Sequence, residues 1–190
     1  MGTIVTGEPI ENSCWMVDVG NIISADHDPT AGDVMMSNGL TSVFLDVLLL
    51  SGSDLARTDS EVATVVSLAE RDQSIVGLGI VGFDVSELGW TPDGFDEHKQ
   101  FLLKTVDGAV AGRRWDVLDY EPSTERLLPC LAEFRELVER FPASACPQEP
   151  LESPWSTLGL RSDRAMCPRH AVYLHNLNID DARCCQLCNR

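Results

Sequence analysis

Four side chains near the end of this 190-residue chain constrain its fold more than any other feature. The stretch 166–190 reads MCPRHAVYLHNLNIDDARCCQLCNR, placing two residues between Cys167 and His170 and two between Cys185 and Cys188, with fourteen between the pairs. Two intervening residues are the spacing at which a tight turn aims both flanking side chains at one point, and two such turns complete a tetrahedron. Pro168 presets φ within the first turn. A short polar segment has no core of its own, and a structural zinc ion contributes on the order of 10 kcal/mol to folding. The expected ligands are Cys167, His170, Cys185 and Cys188, with Cys184 as an alternative to Cys185 and His175 to His170. Four protein ligands close the coordination shell and leave no place for a reactive water, so the expected zinc is structural.

The paired turns resemble the knuckles of the zinc-ribbon and treble-clef families over the last 24 residues, with His170 in one knuckle where cysteine is also used. The intervening AVYLHNLNI alternates enough to supply hairpin strands. Seven cysteines are an odd number, and four of them lie in this tail. Such clustering beside histidines points to metal ligation in a reducing compartment rather than to a disulfide scaffold, and no export signal is seen, so a cytoplasmic location is expected. Cys14, Cys130 and Cys146 are isolated and read as small buried hydrophobes.

The formal charge is -16, and it is unevenly placed. Residues 1–100 carry 17 acids against only Arg57, Arg71 and Lys99, whereas residues 101–190 carry 13 acids and 11 bases. A field of that sign repels phosphate backbones and anionic lipid, which disfavours nucleic-acid and membrane-surface binding. No apolar run approaches the roughly 18 residues that a membrane span needs. Twelve arginines against Lys99 and Lys104 are the usage of a GC-rich genome and suggest a bacterial-type protein.

Upstream of the tail the pattern predicts an α+β domain over 1–141, a small mixed sheet packed by about three helices. A proline-rich connector follows over 142–166, then the knuckle over 167–190. Strands are expected within 15–24 and 74–84, the latter β-branched, glycine-punctuated and read as a central strand. Residues 43–50, VFLDVLLL, are apolar throughout and bounded by SGSD, so periodicity cannot choose between strand and helix. Helices are expected near 60–72, 95–112 and 124–141, the first after the capping types Thr58, Asp59 and Ser60 and the second stopped by Gly112. Pro129 implies that the third either kinks or starts there.

Other motifs fail on context. Gly77, Gly79 and Gly82 spell GxGxxG, but they lie inside an apolar run with no helix following, so a strand closely approached by another backbone is the better reading. Asp26, His27 and Asp28, with Asp18 and Asp33 nearby, could ligate a catalytic metal, although an EF-hand is excluded by Ala31 and Ser37. His98 reads as a hydrogen-bonded structural histidine. Trp90, Trp115, Tyr120 and Trp155 sit near turns as core caps or contact residues. The function expected from this pattern is a non-catalytic protein-binding protein of the immunity or inhibitor type, its acidic half facing a basic protein partner. The rivals are a metal-dependent hydrolase using Asp18, Asp26, His27 and Asp28, and an adaptor that docks through the knuckle.

Overall fold

The structure, a computed structural model, describes residues 21–73, 79–80, 82–147, 166–173 and 185–188. In chain order the elements are β1 (Asn21–Ser24), β2 (Val34–Met36), α1 (Asn38–Leu55), α2 (Asp59–Ala69), β3 (Asp72–Gln73), β4 (Gly79–Ile80), β5 (Phe83–Asp84), α3 (Phe95–Val110) and α4 (Thr124–Arg140). The fold is α+β: a small mixed sheet and four helices. The three-stranded sheet has the order β2-β1-β5, with β1 antiparallel to β2 and parallel to β5.

The ambiguous run 43–50 belongs to α1, the helix beyond the expected three. It packs against α2, α3 and α4, and residues Phe44 to Leu50 are buried on every side, which is why no period-3.6 stripe marks them. Ser37 caps its start, accepting from the Leu40 amide at 3.4 Å. The SGSD stretch is not a stop. Ser51, Gly52 and Ser53 stay helical and form the notch where α3 comes close, with Ser51 Oγ donating to the Thr105 carbonyl at 2.7 Å. Opposite the notch sits Gly108, where an added Cβ would run into Ser51 Oγ.

α2 begins where Thr58 and Glu61 form a reciprocal capping box, and it ends at Ala69, earlier than the expected 72. The difference arises because the chain turns at Glu70 and Arg71 to pair Asp72 with Ile80. Within 74–84 the strands are β4 and β5, and β5 lies at the edge of its sheet, with β1 in the centre. The expected close backbone approach occurs at Gly82, where a Cβ would collide with the Ile22 carbonyl. Of the strand expected in 15–24, residues 21–24 are observed and the remainder lies outside the described residues.

α4 starts at Thr124 and runs through Pro129, so Pro129 is not its first residue. Its face of Leu127, Leu131, Phe134 and Val138 joins Phe44, Leu102 and Trp90 in the main core. Trp90 is no cap: its ring is fully buried, stacked on Phe141 at 4.5 Å and His98 at 4.6 Å, with Nε1 donating to the Val85 carbonyl at 2.7 Å. Cys130 and Cys146 are buried within this core, as isolated thiols are expected to be. Among the described residues no helix is long and apolar enough to cross a membrane.

Candidate metal centre

The first knuckle is built by main-chain hydrogen bonds. The Cys167 amide donates to the Val172 carbonyl at 2.9 Å and the Ala171 amide to the Cys167 carbonyl at 2.8 Å, while Met166 and Tyr173 form an antiparallel bridge. This loop turns the His170 amide toward Cys167 Sγ, to which it donates at 3.4 Å. In the second knuckle the Cys188 amide donates to the Cys185 carbonyl at 2.9 Å, closing a short 3-10 turn over Gln186–Cys188.

The two knuckles bring one ligand atom each from Cys167, His170, Cys185 and Cys188 within 4.8 Å of one another. Cys167 Sγ is 3.8 Å from Cys188 Sγ, and His170 Nδ1 lies 3.8, 3.4 and 3.3 Å from the sulfurs of Cys167, Cys185 and Cys188. A tetrahedron with Zn–S near 2.3 Å and Zn–N near 2.05 Å has edges of about 3.8 Å between sulfurs and about 3.6 Å between sulfur and nitrogen. These four edges lie within about 0.3 Å of those lengths, so this set of three thiols and one imidazole is of a kind that could hold a metal ion. Among the described residues it is the only such group of His, Cys, Asp or Glu side chains. Cys184 and His175, the alternative ligands, lie outside the described residues.

Burial drives the titration of these thiols, and local donors modulate it. Burial pushes Cys167 up, but the amides of His170 and Arg169 and the neighbouring thiols outweigh it, so this thiol sits below its ordinary range. Burial raises Cys185 strongly, and hydrogen bonding to Cys167 adds to that. Cys188 is raised for the same two reasons. His170 is held below its ordinary value first by burial, then by Arg169 and Arg114, with Asp119 acting in the opposite direction. A cation requires thiolates and a neutral imidazole of its ligands; Cys167 and His170 are shifted toward those states, while burial works against the thiolate at Cys185 and Cys188.

The knuckle is attached to the helical body on one side. Leu50 of α1 packs against Cys167, Val172 and Cys185, with Val117 and Leu118 at the edge. The Tyr173 amide donates to Ser53 Oγ at 3.1 Å. Arg114 donates to the carbonyls of both His170 and Ala171, at 2.7 and 3.1 Å. Sequence reasoning did not single out Arg114. Its type is common on surfaces and its partners lie 56 and 57 residues away, so only the left-handed turn after Gly112 could have hinted at it. Ala171 has φ 47°, a conformation that favours glycine and costs an L-residue roughly 1–2 kcal/mol.

The acidic loop is arranged otherwise. Asp28 is held by Arg140 at 2.5 Å and by the hydroxyl and amide of Thr30 at 2.6 and 3.0 Å, and these contacts lower its carboxyl to about 2, Thr30 contributing most. His27 meets the Phe141 ring edge-on at 4.8 Å, with neither ring nitrogen hydrogen-bonded. The Asp26 amide donates to Asp84 at 2.8 Å. The structure therefore does not gather Asp26, His27 and Asp28 around one point, and Asp18 lies outside the described residues. Asp84, which the sequence reading passed over, serves as a structural hub: it also accepts from Ser24 Oγ and caps the turn at Ser86. The chain matches no family model, no curated protein and no solved structure.

Proposed function

We propose that this protein is a non-catalytic, cytoplasmic protein-binding protein of the inhibitor or immunity type, whose acidic half faces a basic partner and whose knuckle holds a structural zinc ion. The observation that carries the zinc reading is the set of edge lengths among four protein ligands, which leaves no coordination position for a reacting water. The basic-partner reading is supported by the surface of the first hundred residues. Their three cations are all engaged: Arg71 with Glu87 at 2.7 Å, Lys99 with the Phe141 carbonyl at 2.8 Å, and Arg57 with the Asp54 and Ala56 carbonyls at 2.8 and 2.7 Å. Around the start of α3, by contrast, Asp93, Asp96 and Glu97 are exposed. Asp93 and Glu97, with Glu61, line a groove between α2 and α3 that also includes Thr64, His98 and Phe101, a form that takes the aliphatic stem and charged head of a lysine or arginine.

Metal analysis and salt-dependent binding test the two halves of this proposal. One zinc per chain is expected, lost in Cys185→Ser and Cys188→Ser. Binding to a purified basic partner should weaken steeply with added salt and with Glu97→Gln, as association steered by charge does. A second, exchangeable metal that depends on His27 would overturn the reading in favour of a hydrolase. Salt-insensitive binding through the knuckle would overturn it in favour of an adaptor.

A further inference from the structure

Two left-handed residues follow the end of α3: Gly112, with φ 73°, and then Arg114, with φ 59°. The second is not glycine, and a side chain at such a position persists only when the surroundings over-determine it. Here the determinant is the knuckle, since the Arg114 guanidinium reaches two successive carbonyls, those of the ligand His170 and of the left-handed Ala171, at 2.7 and 3.1 Å. Two strained positions on distant segments are thus joined by one side chain, at the peptide planes that immediately follow a ligand.

We propose that Arg114 is a positioning residue of the metal centre, fixing the main chain behind His170 and offsetting the negative charge of the loaded site. Three thiolates, one neutral imidazole and a divalent cation leave one net negative charge, and a guanidinium held against the ligand loop compensates it. Its hydrogen bonds go to main-chain carbonyls and not to the side chain of His170. Outer groups of this kind orient ligands and tune affinity. This inference rests on the reading of the cluster as a metal site.

The test titrates Co2+ into the reduced full-length chain, follows the thiolate-to-cobalt and d–d bands, and competes Zn2+ against a chelator. Arg114→Gln should weaken both metals by about 10- to 100-fold and shift the cobalt bands, and Arg114→Lys, which keeps the charge but not the two-pronged contact, should recover part of the loss. Arg114→Gly relieves the left-handed backbone while removing the guanidinium, so equal weakening there assigns the effect to the side chain and not to strain. Ser53→Ala removes a different tether between knuckle and body and should leave affinity and spectrum unchanged. Wild-type affinity in Arg114→Gln and Arg114→Gly overturns the proposal, as does an equal loss in Ser53→Ala, which would make Arg114 a mere tether. If the wild-type chain shows no thiolate-to-cobalt bands, the metal reading itself fails; if it shows them and the variants match it, only the role of Arg114 fails.

Discussion

In the helical body, Phe44, Phe134, Leu102 and Trp90 are buried together in one apolar cluster shared by the helices. In the knuckle, Cys167, Val172 and Cys185 are buried against Leu50 of α1, and His170 is buried as well, so three of the four hidden knuckle residues belong to the Cys/His cluster itself. The body is held by area, with each large side chain contributing about 1.5–3 kcal/mol. The knuckle has little apolar area of its own, and a metal ion bound where its four heteroatoms meet would supply most of its hold. A region of the first kind loses stability gradually as side chains are trimmed, whereas one of the second kind is lost when a single atom is removed.

The largest expected effect separates the two directly. Chelation, or Cys185→Ser, should abolish amide protection over 166–173 and 185–188 in hydrogen exchange while far-UV circular dichroism of the body stays unchanged, the lost metal free energy being on the order of 10 kcal/mol. Collapse of the helical signal on chelation would show that the body also depends on the metal. Phe134→Ala is the mirror experiment, with an expected loss of about 3–5 kcal/mol by denaturant titration because the cavity lies at the centre of the body.

A smaller effect belongs to the body alone. Burial holds His98 at about 4, below its ordinary 6.5. The unfolded chain therefore takes the proton first. The contribution is intact above pH 6.5 and is lost as pH falls toward 4, amounting to about 3 kcal/mol, with no further loss below. Denaturant titrations at pH 7 and pH 4 on wild type and His98→Gln should show a shallower acid slope in the variant; identical slopes would remove His98 from the account.

The smallest effect belongs to the knuckle. Ala171→Gly relieves a left-handed φ of 47° and should stabilise the loaded knuckle by up to about 1 kcal/mol, read as a several-fold gain in metal affinity. Weaker binding by this variant would mean that the methyl group is needed for packing.

The same contrast governs what could be read from residues. The Cys/His cluster was legible because a two-residue spacing is a local property, and the chemistry of thiols and imidazole is written in their identities. The capped start of α2 and the amphipathic faces of α3 and α4 were legible for the same reason. α1 was not, because a helix buried on all sides has no polar face to give the period, and because Ser51, Gly52 and Ser53, which usually end elements, here make room for α3. Arg114 was illegible because its meaning depends on partners 56 and 57 positions away, and the burial of Trp90 because the rings that enclose it come from α3 and from Phe141.

Leu50 has one consequence beyond packing. It sits on the last turns of α1, and the surface that keeps it dry is the knuckle. A chain that lost its metal and let the knuckle swing away would present Leu50, Val117 and Leu118 to solvent together, an apolar patch of the sort through which proteins stick to one another. Metal starvation would then appear first as a solubility defect and not as unfolding. The charge of -16 becomes, in that state, the main force keeping bare copies of the chain apart.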